Sequence, residues 1–236
     1  MPMGAGRARR AVAQAALLVV VLTGCSGTAE DEAKPSGSAS KATEEAAGGG
    51  TAVKSGGTIG AAGSACELPV AFDIAEHWEA EAVDAGKAKE KAAGDGSADP
   101  GEGELAQEIA DALLRQGPVT AACEVDAKPA GNIGFLRVWT GERGDDDARA
   151  VLKAFVAAED NTSKAEYSSF EAGGLAGAEV RYLHTSELLE ETKEEAAVAV
   201  VTERGPVVIH LGGMDTEEHR AMLPAYELAK RTLRAV

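Results

Sequence analysis

The sequence AAVAVVTERGPVVIHL, residues 196–211, contains the two most apolar strand patterns of the chain. The runs 196–202 and 207–211 are rich in valine and isoleucine, and the polar segment 203–206 between them contains glycine and proline. Branched apolar residues favour strands, and a short connection with these turn residues is typical of a β-hairpin. The stretch therefore predicts an antiparallel hairpin of two apolar strands.

The segment after this hairpin predicts a closing helix. Asp215 and Glu218 have the spacing of a capping box at its start. The side that we expect to be buried against the hairpin consists of His219, Met222, Tyr226, Ala229 and Leu233. Pro224 lies inside this pattern, lacks an N–H group and clashes with the preceding turn. We therefore also expect a kink or a break near Leu223.

The rest of the chain after residue 66 contains further strand and helix patterns. Strand patterns cover 70–74, 78–83, 119–127, 133–140, 167–171 and 178–184, and the first two are predicted to form a hairpin. Helix patterns cover 104–116 and the apolar residues that follow Asp145–Asp147. The two kinds of element do not alternate as a doubly wound sheet requires. The order predicts an α+β fold, with an antiparallel β-sheet flanked by helices in a single domain.

The N-terminal segment has the order of a lipoprotein signal peptide. Three arginines, Arg7, Arg9 and Arg10, precede the apolar run 11–22, which is shorter than the roughly 20 residues of a spanning helix. The sequence Leu22-Thr23-Gly24-Cys25 follows and resembles the lipobox of bacterial lipoproteins. This resemblance implies that residues 1–24 are removed and that Cys25 receives a diacylglyceryl anchor. The alternative is a short buried helix with an incidental cysteine.

The segment from Cys25 to residue 65 predicts a flexible tether. Small and charged residues dominate it, and Val53 and Ile59 are its only large apolar residues. Such a segment cannot bury enough apolar surface to offset the entropy lost on ordering. We therefore expect one folded domain, residues 66–236, that begins near Cys66.

The cysteine count is consistent with export. Once lipid occupies Cys25, Cys66 and Cys123 remain as a pair, and disulfides form and persist in exported proteins. We predict that these two residues form a disulfide. The alternative is a pair of buried free thiols.

The order of elements over 66–236 carries a second resemblance. An opening strand at 70–74 followed by Trp78, a middle helix, a long terminal meander and a closing helix resemble actinobacterial lipoproteins of the LpqN type. Their fold is similar to that of the PsbP and Mog1 families. The resemblance implies a PsbP/Mog1-like fold and a non-enzymatic surface or binding role, and it carries over no catalytic residues.

Charge and motifs exclude several functions. The net charge of −16 argues against nucleic acids and anionic lipids as partners, because both require basic surfaces. The motifs HExxH, GxSxG, GxGxxG and the P-loop are absent, so no catalytic site is predicted. The segment 95–106 begins like a calcium loop, but Pro100 and Ala106 occupy positions that require glycine and glutamate. No cofactor and no metal site are predicted.

The histidines and tryptophans do not form a motif. His77, His184, His210 and His219 are scattered along the sequence, and we interpret His210, in a strand, as structural or surface-exposed. Trp78 and Trp139 could line a pocket, although packing in the core is the favoured interpretation.

The predicted function is therefore that of a lipid-anchored envelope lipoprotein on the extracytoplasmic face of the cell membrane. It acts as a non-enzymatic binding or interaction module. Its predicted partners are the membrane, through the lipid on Cys25, and an envelope protein or small ligand whose identity the sequence does not give. The alternatives are a structural or assembly lipoprotein and, less favoured, an envelope hydrolase.

Overall fold

The structure is a computed structural model that describes residues 53–84, 86–87, 108, 112 and 114–236. The predicted signal peptide with Cys25, the first part of the tether and the segment 95–106 lie outside these residues. Most of the helix predicted at 104–116 also lies outside them. The part that is described has antiparallel sheets flanked by helices, so the predicted α+β class is confirmed.

Eleven strands and two helices of ten residues or more are present in the described ranges. The strands are β1 (Ser55–Ile59), β2 (Val70–Ala75), β3 (Glu79–Ala82), β4 (Arg115–Gln116), β5 (Val119–Asp126), β6 (Gly134–Thr140), β7 (Thr162–Ala172), β8 (Leu175–Ser186), β9 (Glu191–Thr202), β10 (Gly205–Gly213) and β11 (Arg234–Ala235). The helices are α1 (Ala148–Ala157) and α2 (Thr216–Thr232). One sheet has the order β1-β2-β11, and the larger sheet has the order β3-β5-β6-β10-β9-β8-β7 with β4 paired to β5.

The predicted hairpin, now β9 and β10, lies near the centre of the larger sheet. Val200 pairs with Val207 and Val198 pairs with Ile209, which confirms the antiparallel register. At the start of β10, Gly205 has a φ of 120°, and a Cβ there would lie 2.1 Å from the carbonyl oxygen of Gly141. Only glycine fits this close approach, which lets the hairpin turn tightly beside β6.

The two helices cover opposite faces of the larger sheet. Side chains alternate between faces along a strand, so Val198 and Ile209 pack with α2, whereas Ala197 and Val208 pack with α1. The expected apolar stripe of α2 lies in the same core as the hairpin valines, which confirms its predicted packing. Strand β2 packs on the side of α2.

Both helices begin at the aspartates that the sequence indicates. Asp147 accepts a hydrogen bond from the Ala150 amide at 2.7 Å, and Asp215 accepts one from the Glu218 amide at 2.8 Å. However, α2 continues through Pro224 to Thr232, so of the predicted kink or break near Leu223 the break is wrong. Buried apolar residues on both sides of Pro224 hold the helix against the core.

The predicted start of the domain near Cys66 is wrong, because β1 is already part of the fold. Ser55–Ile59 pairs with β2 in antiparallel register, and Ile59 is buried in the core. The other four residues of β1 are exposed. The strand is held mainly by its backbone hydrogen bonds to β2, which composition does not reveal.

Two further predictions need correction. The patterns at 70–74 and 78–83 do not form a hairpin, because β2 pairs with β1 and β11 while β3 pairs with β5 in the other sheet. The helix predicted to end at Gln116 ends earlier, because Arg115–Gln116 pairs with β5. In both cases, hydrogen bonding to a distant strand decides the structure rather than the local sequence pattern.

A disulfide joins Cys66 to Cys123, with their Cα atoms 5.9 Å apart. Both cysteines are buried. The bridge ties the segment between β1 and β2 to β5 in the larger sheet. No helix in the described ranges is sufficiently long and apolar to cross a membrane.

Candidate functional site

A cleft of about 630 Å³ opens on the face of the larger sheet that carries α1. The helix is only ten residues long, so it leaves part of this face uncovered. The strands β5, β6, β9 and β10 supply most of the lining, and Glu159, which follows the end of α1, closes one side. The cleft is therefore a consequence of a short helix on a long sheet.

Part of the cleft is polar because three ionisable side chains of β9 and β10 point to this face. Lys193, Glu195 and His210 alternate in their strands with residues that pack beneath α2. Glu195 is only 3% exposed, and its Oε1 lies 2.7 Å from Lys193 Nζ. Its Oε2 contacts His210 Nε2. A proton between these two atoms makes the contact attractive, and we assign it to His210 Nε2.

The ion pairs decide the charge of Glu195. Burial by itself raises the pKa of this carboxyl, but His210 and Lys193 lower it more strongly, to about 2. Glu195 is therefore ionised at neutral pH. Lys193 also donates a hydrogen bond to the carbonyl oxygen of Gly213 at 2.9 Å, which fixes its ammonium group beside the carboxylate.

A second pair of side chains extends this network across β8. The Tyr182 hydroxyl donates to Glu159 Oε2 at 2.8 Å and lies 3.2 Å from His210 Nε2. Burial, with the nearby carboxylates Glu195 and Glu159, raises the pKa of Tyr182 well above its usual range, so the hydroxyl stays a donor. Glu159 Oε1 lies 3.7 Å from His184 Nε2. These residues form one connected polar cluster with Lys193 and Glu195.

The part of the lining that β6 supplies, beside β10, is largely aromatic. The Arg137 guanidinium lies 4.5 Å from the centroid of the Phe135 ring and 5.7 Å from that of Trp139. Arg137 also bonds Glu124 through Nε at 3.0 Å and Nη2 at 2.5 Å, so its charge is paired. Ile133 and Met214, each 55% exposed, stand at the rim. The cleft thus joins an aromatic wall to a polar cluster.

Comparison with known proteins places the chain in a family. Residues 36–233 match the profile of an uncharacterised lipoprotein family, Lipoprotein_23. The chain belongs to this lipoprotein family. No curated protein matches its sequence. Among solved structures, the solution structure of cyanobacterial PsbP from Synechocystis is similar with a TM-score of 0.43 at 9% identity, covering 82% of this chain and 98% of that one.

The family match confirms the lipoprotein class that the lipobox predicts. Cys25 itself lies outside the matched residues 36–233 and outside the residues that the structure describes.

The fold of the lipoprotein brings together two of the four scattered histidines. His184 and His210 both join the polar cluster. The surface-exposed alternative for His210 is wrong, because its side chain is 11% exposed and lies beside the buried carboxylate of Glu195. His77 is exposed in the turn before β3. His219 is buried at the start of α2, and burial lowers its pKa to about 4.

The two tryptophans also separate. Trp78 is buried in the core beneath α2, as the packing interpretation predicts. Trp139 packs against Phe155 of α1 with ring centroids 5.6 Å apart and also lines the cleft. Its Nε1 is buried without a hydrogen-bond partner in the described structure.

Sequence reasoning missed Lys193, Glu195, Tyr182 and Glu159 as members of a site. The pattern places the start of β9 at Ala196, whereas the strand begins at Glu191. If the predicted strand had begun five residues earlier, the alternation of side chains would have placed Lys193 and Glu195 on the same face of the sheet as His210. This alternation is the sequence signal that could have found them. Nothing in the sequence places Glu159 beside them.

Proposed function

We propose that this lipoprotein is an exported, lipid-anchored and non-enzymatic binding module. Its anchor is the diacylglyceryl group on Cys25, and its binding site is the cleft beside α1, which takes a small amphiphilic organic molecule. The observation that carries the proposal is the cleft itself, in which an aromatic wall lies beside an ordered polar cluster.

Size and polarity support a ligand of this class. A volume of about 630 Å³ lies within the roughly 300–1,000 Å³ of small-molecule sites, which are mostly apolar with a few fixed polar groups. Phe135, Trp139 and Met214 supply apolar surface. The polar side chains of the cluster hold one another in place through ion pairs and hydrogen bonds. A ligand therefore meets polar atoms whose positions are fixed before it binds.

The anchor gives the first prediction. Replacing Cys25 with alanine removes the thiol that receives the lipid, so we expect unprocessed precursor or release of the protein from the membrane. Membrane fractionation and intact-mass measurement of the wild type and the variant test this. Normal processing and membrane retention of Cys25→Ala would exclude the lipobox.

The cleft gives the second prediction. The aromatic anion anilinonaphthalene sulfonate should bind the full-length protein at a single site, with an increase in fluorescence. Met214→Asp places a charge at the apolar rim, and we expect its affinity for the dye to fall at least about tenfold, equivalent to about 1.4 kcal/mol.

The matched control for this titration is Leu188→Asp. Leu188 is 91% exposed in the turn between β8 and β9 and does not line the cleft. Its substitution should leave both the affinity and the melting temperature unchanged. If the two variants bind the dye equally well, the cleft is not the binding site.

An exposed apolar tip favours a second candidate function, that of a structural or assembly lipoprotein. Leu188 and Leu189 are 91% and 67% exposed in the turn between β8 and β9. Two adjacent exposed leucines are the kind of feature that binds a protein partner. Loss of a cross-linked envelope complex in Leu188→Asp, with dye binding intact, would favour this second function.

A further inference from the structure

We propose that Glu159, His184 and Glu195 bind a divalent first-row transition-metal ion. Glu159 and Glu195 also line the cleft. The site depends neither on the lipid anchor nor on the apolar wall that the organic ligand would contact. The sequence predicts no metal site, because the three donors are separated along the chain and become neighbours only in the folded sheet.

The spacing of the donors is close to that of a metal site. Glu159, His184 and Glu195 each offer one atom, and these atoms all lie within 4.8 Å of one another. Metal–ligand bonds of about 2.0–2.2 Å place neighbouring donors roughly 3.3–3.6 Å apart in a tetrahedral site. The side chain of His184 is 23% exposed, so it can rotate the remaining distance toward the two carboxylates.

Each carboxylate is already oriented as a metal ligand by a partner on its outer oxygen. Tyr182 donates to Glu159 Oε2, which leaves Oε1 toward His184. Lys193 bonds Glu195 Oε1, which leaves Oε2 toward His210. Hydrogen bonds of this kind from neighbouring side chains fix the direction of ligating groups and raise metal affinity.

His184 has no other evident use in the described structure. Its Nδ1 is buried without a hydrogen-bond partner, and its Nε2 lies too far from Glu159 for a normal hydrogen bond. A metal ion between His184 and the two carboxylates would use this imidazole as a ligand.

The local charge favours a cation. Glu159 and Glu195 supply two negative charges. Helix α1 ends at Ala157, two residues before Glu159, and the C-terminal end of a helix carries a partial negative charge. Lys193 offsets one of these charges, so the three donors and their neighbours keep a net negative charge.

The chemistry of the donors selects the class of metal. Imidazole together with carboxylate suits zinc and neighbouring transition metals, whereas calcium and magnesium prefer oxygen ligands throughout. We therefore expect binding of Zn²⁺ and Co²⁺ in preference to Ca²⁺.

The test is calorimetric titration of the full-length protein, purified without a histidine tag, with Zn²⁺. We expect one ion to bind per chain. With Co²⁺, a visible d–d absorption band should report ligation by nitrogen and oxygen. His184→Gln and Glu159→Gln should each weaken Zn²⁺ binding at least tenfold.

The control is His77→Asn, which removes an exposed imidazole from a turn distant from the cluster in sequence. It should bind Zn²⁺ as the wild type does. Melting curves show which variants are folded. If His184→Gln does not fold, the comparison of Zn²⁺ affinity uses Glu159→Gln alone. Absence of Zn²⁺ and Co²⁺ binding by the wild type would overturn the proposal. Equal affinity of the wild type and the folded cluster variants would also overturn it.

Discussion

Replacing Met222 with aspartate is expected to lower the free energy of unfolding by more than about 4 kcal/mol. Truncation of a buried methionine alone costs roughly 2–5 kcal/mol, and a carboxylate buried without a partner adds a desolvation cost. Because whole domains are stable by only about 5–15 kcal/mol, the variant should be close to unfolded at moderate temperature.

The surroundings of Met222 leave no room for adaptation. The residue is 1% exposed and points from α2 toward the larger sheet. A Cβ on Gly134 would lie 2.3 Å from Met222 Cε, and one on Gly213 would lie 3.1 Å from it. The methionine therefore fills the space that two glycines leave, and neither glycine has a side chain that could solvate a carboxylate.

Ala221→Asp is the matched control, because it introduces the same carboxylate one position earlier in the same helix. Ala221 is exposed, and a surface substitution of this kind changes stability by only about 0.5 kcal/mol or less. Denaturant unfolding of both variants measures the difference. Equal stability of the two would show that α2 does not dock on the sheet through Met222.

Removal of the Cys66–Cys123 bridge is expected to have the next largest effect. The bridge connects residues 57 positions apart, and closing a loop of this length stabilises the folded state by about 4 kcal/mol in the chain-entropy model. Both sulfur atoms belong to buried residues. The double variant Cys66→Ala, Cys123→Ala should lose this stabilisation.

Denaturant unfolding with and without reductant separates the bridge from the packing of its side chains. Reductant should destabilise the wild type by a similar amount and leave the double variant unchanged. The unreduced wild type should also show no thiol that alkylates at these two positions. A wild type that reductant does not affect would contradict the prediction.

Local signals predicted the parts of the fold that local interactions decide. The valine-rich runs specify β9 and β10, and the aspartates at 147 and 215 cap α1 and α2 through bonds to residues three positions ahead. Each of these features forms between residues close in sequence, so the sequence pattern carries most of the information.

The errors arose where pairing is distant. The strand β1 has only one buried side chain, so its order comes from the backbone of β2 and leaves no apolar pattern. Strand β2 pairs with the distant strand β11, and β3 pairs with β5. No local sequence pattern indicates either of these pairings. The polar cluster has the same origin, because Glu159, Tyr182, Glu195 and His210 come from four separate segments.

The smaller sheet has a consequence for the order in which the chain can fold. Strand β2 lies between β1, which precedes it, and β11, and the Asp73 amide donates to the hydroxyl of Thr232, 159 residues away. Forming this contact costs the conformational entropy of closing a loop that spans almost the whole domain. Contacts between residues far apart in sequence slow folding for this reason. One edge of β2 therefore stays unpaired until residues 232–235 reach it. We expect the core beneath α2 to close late in folding, after the central hairpin has formed.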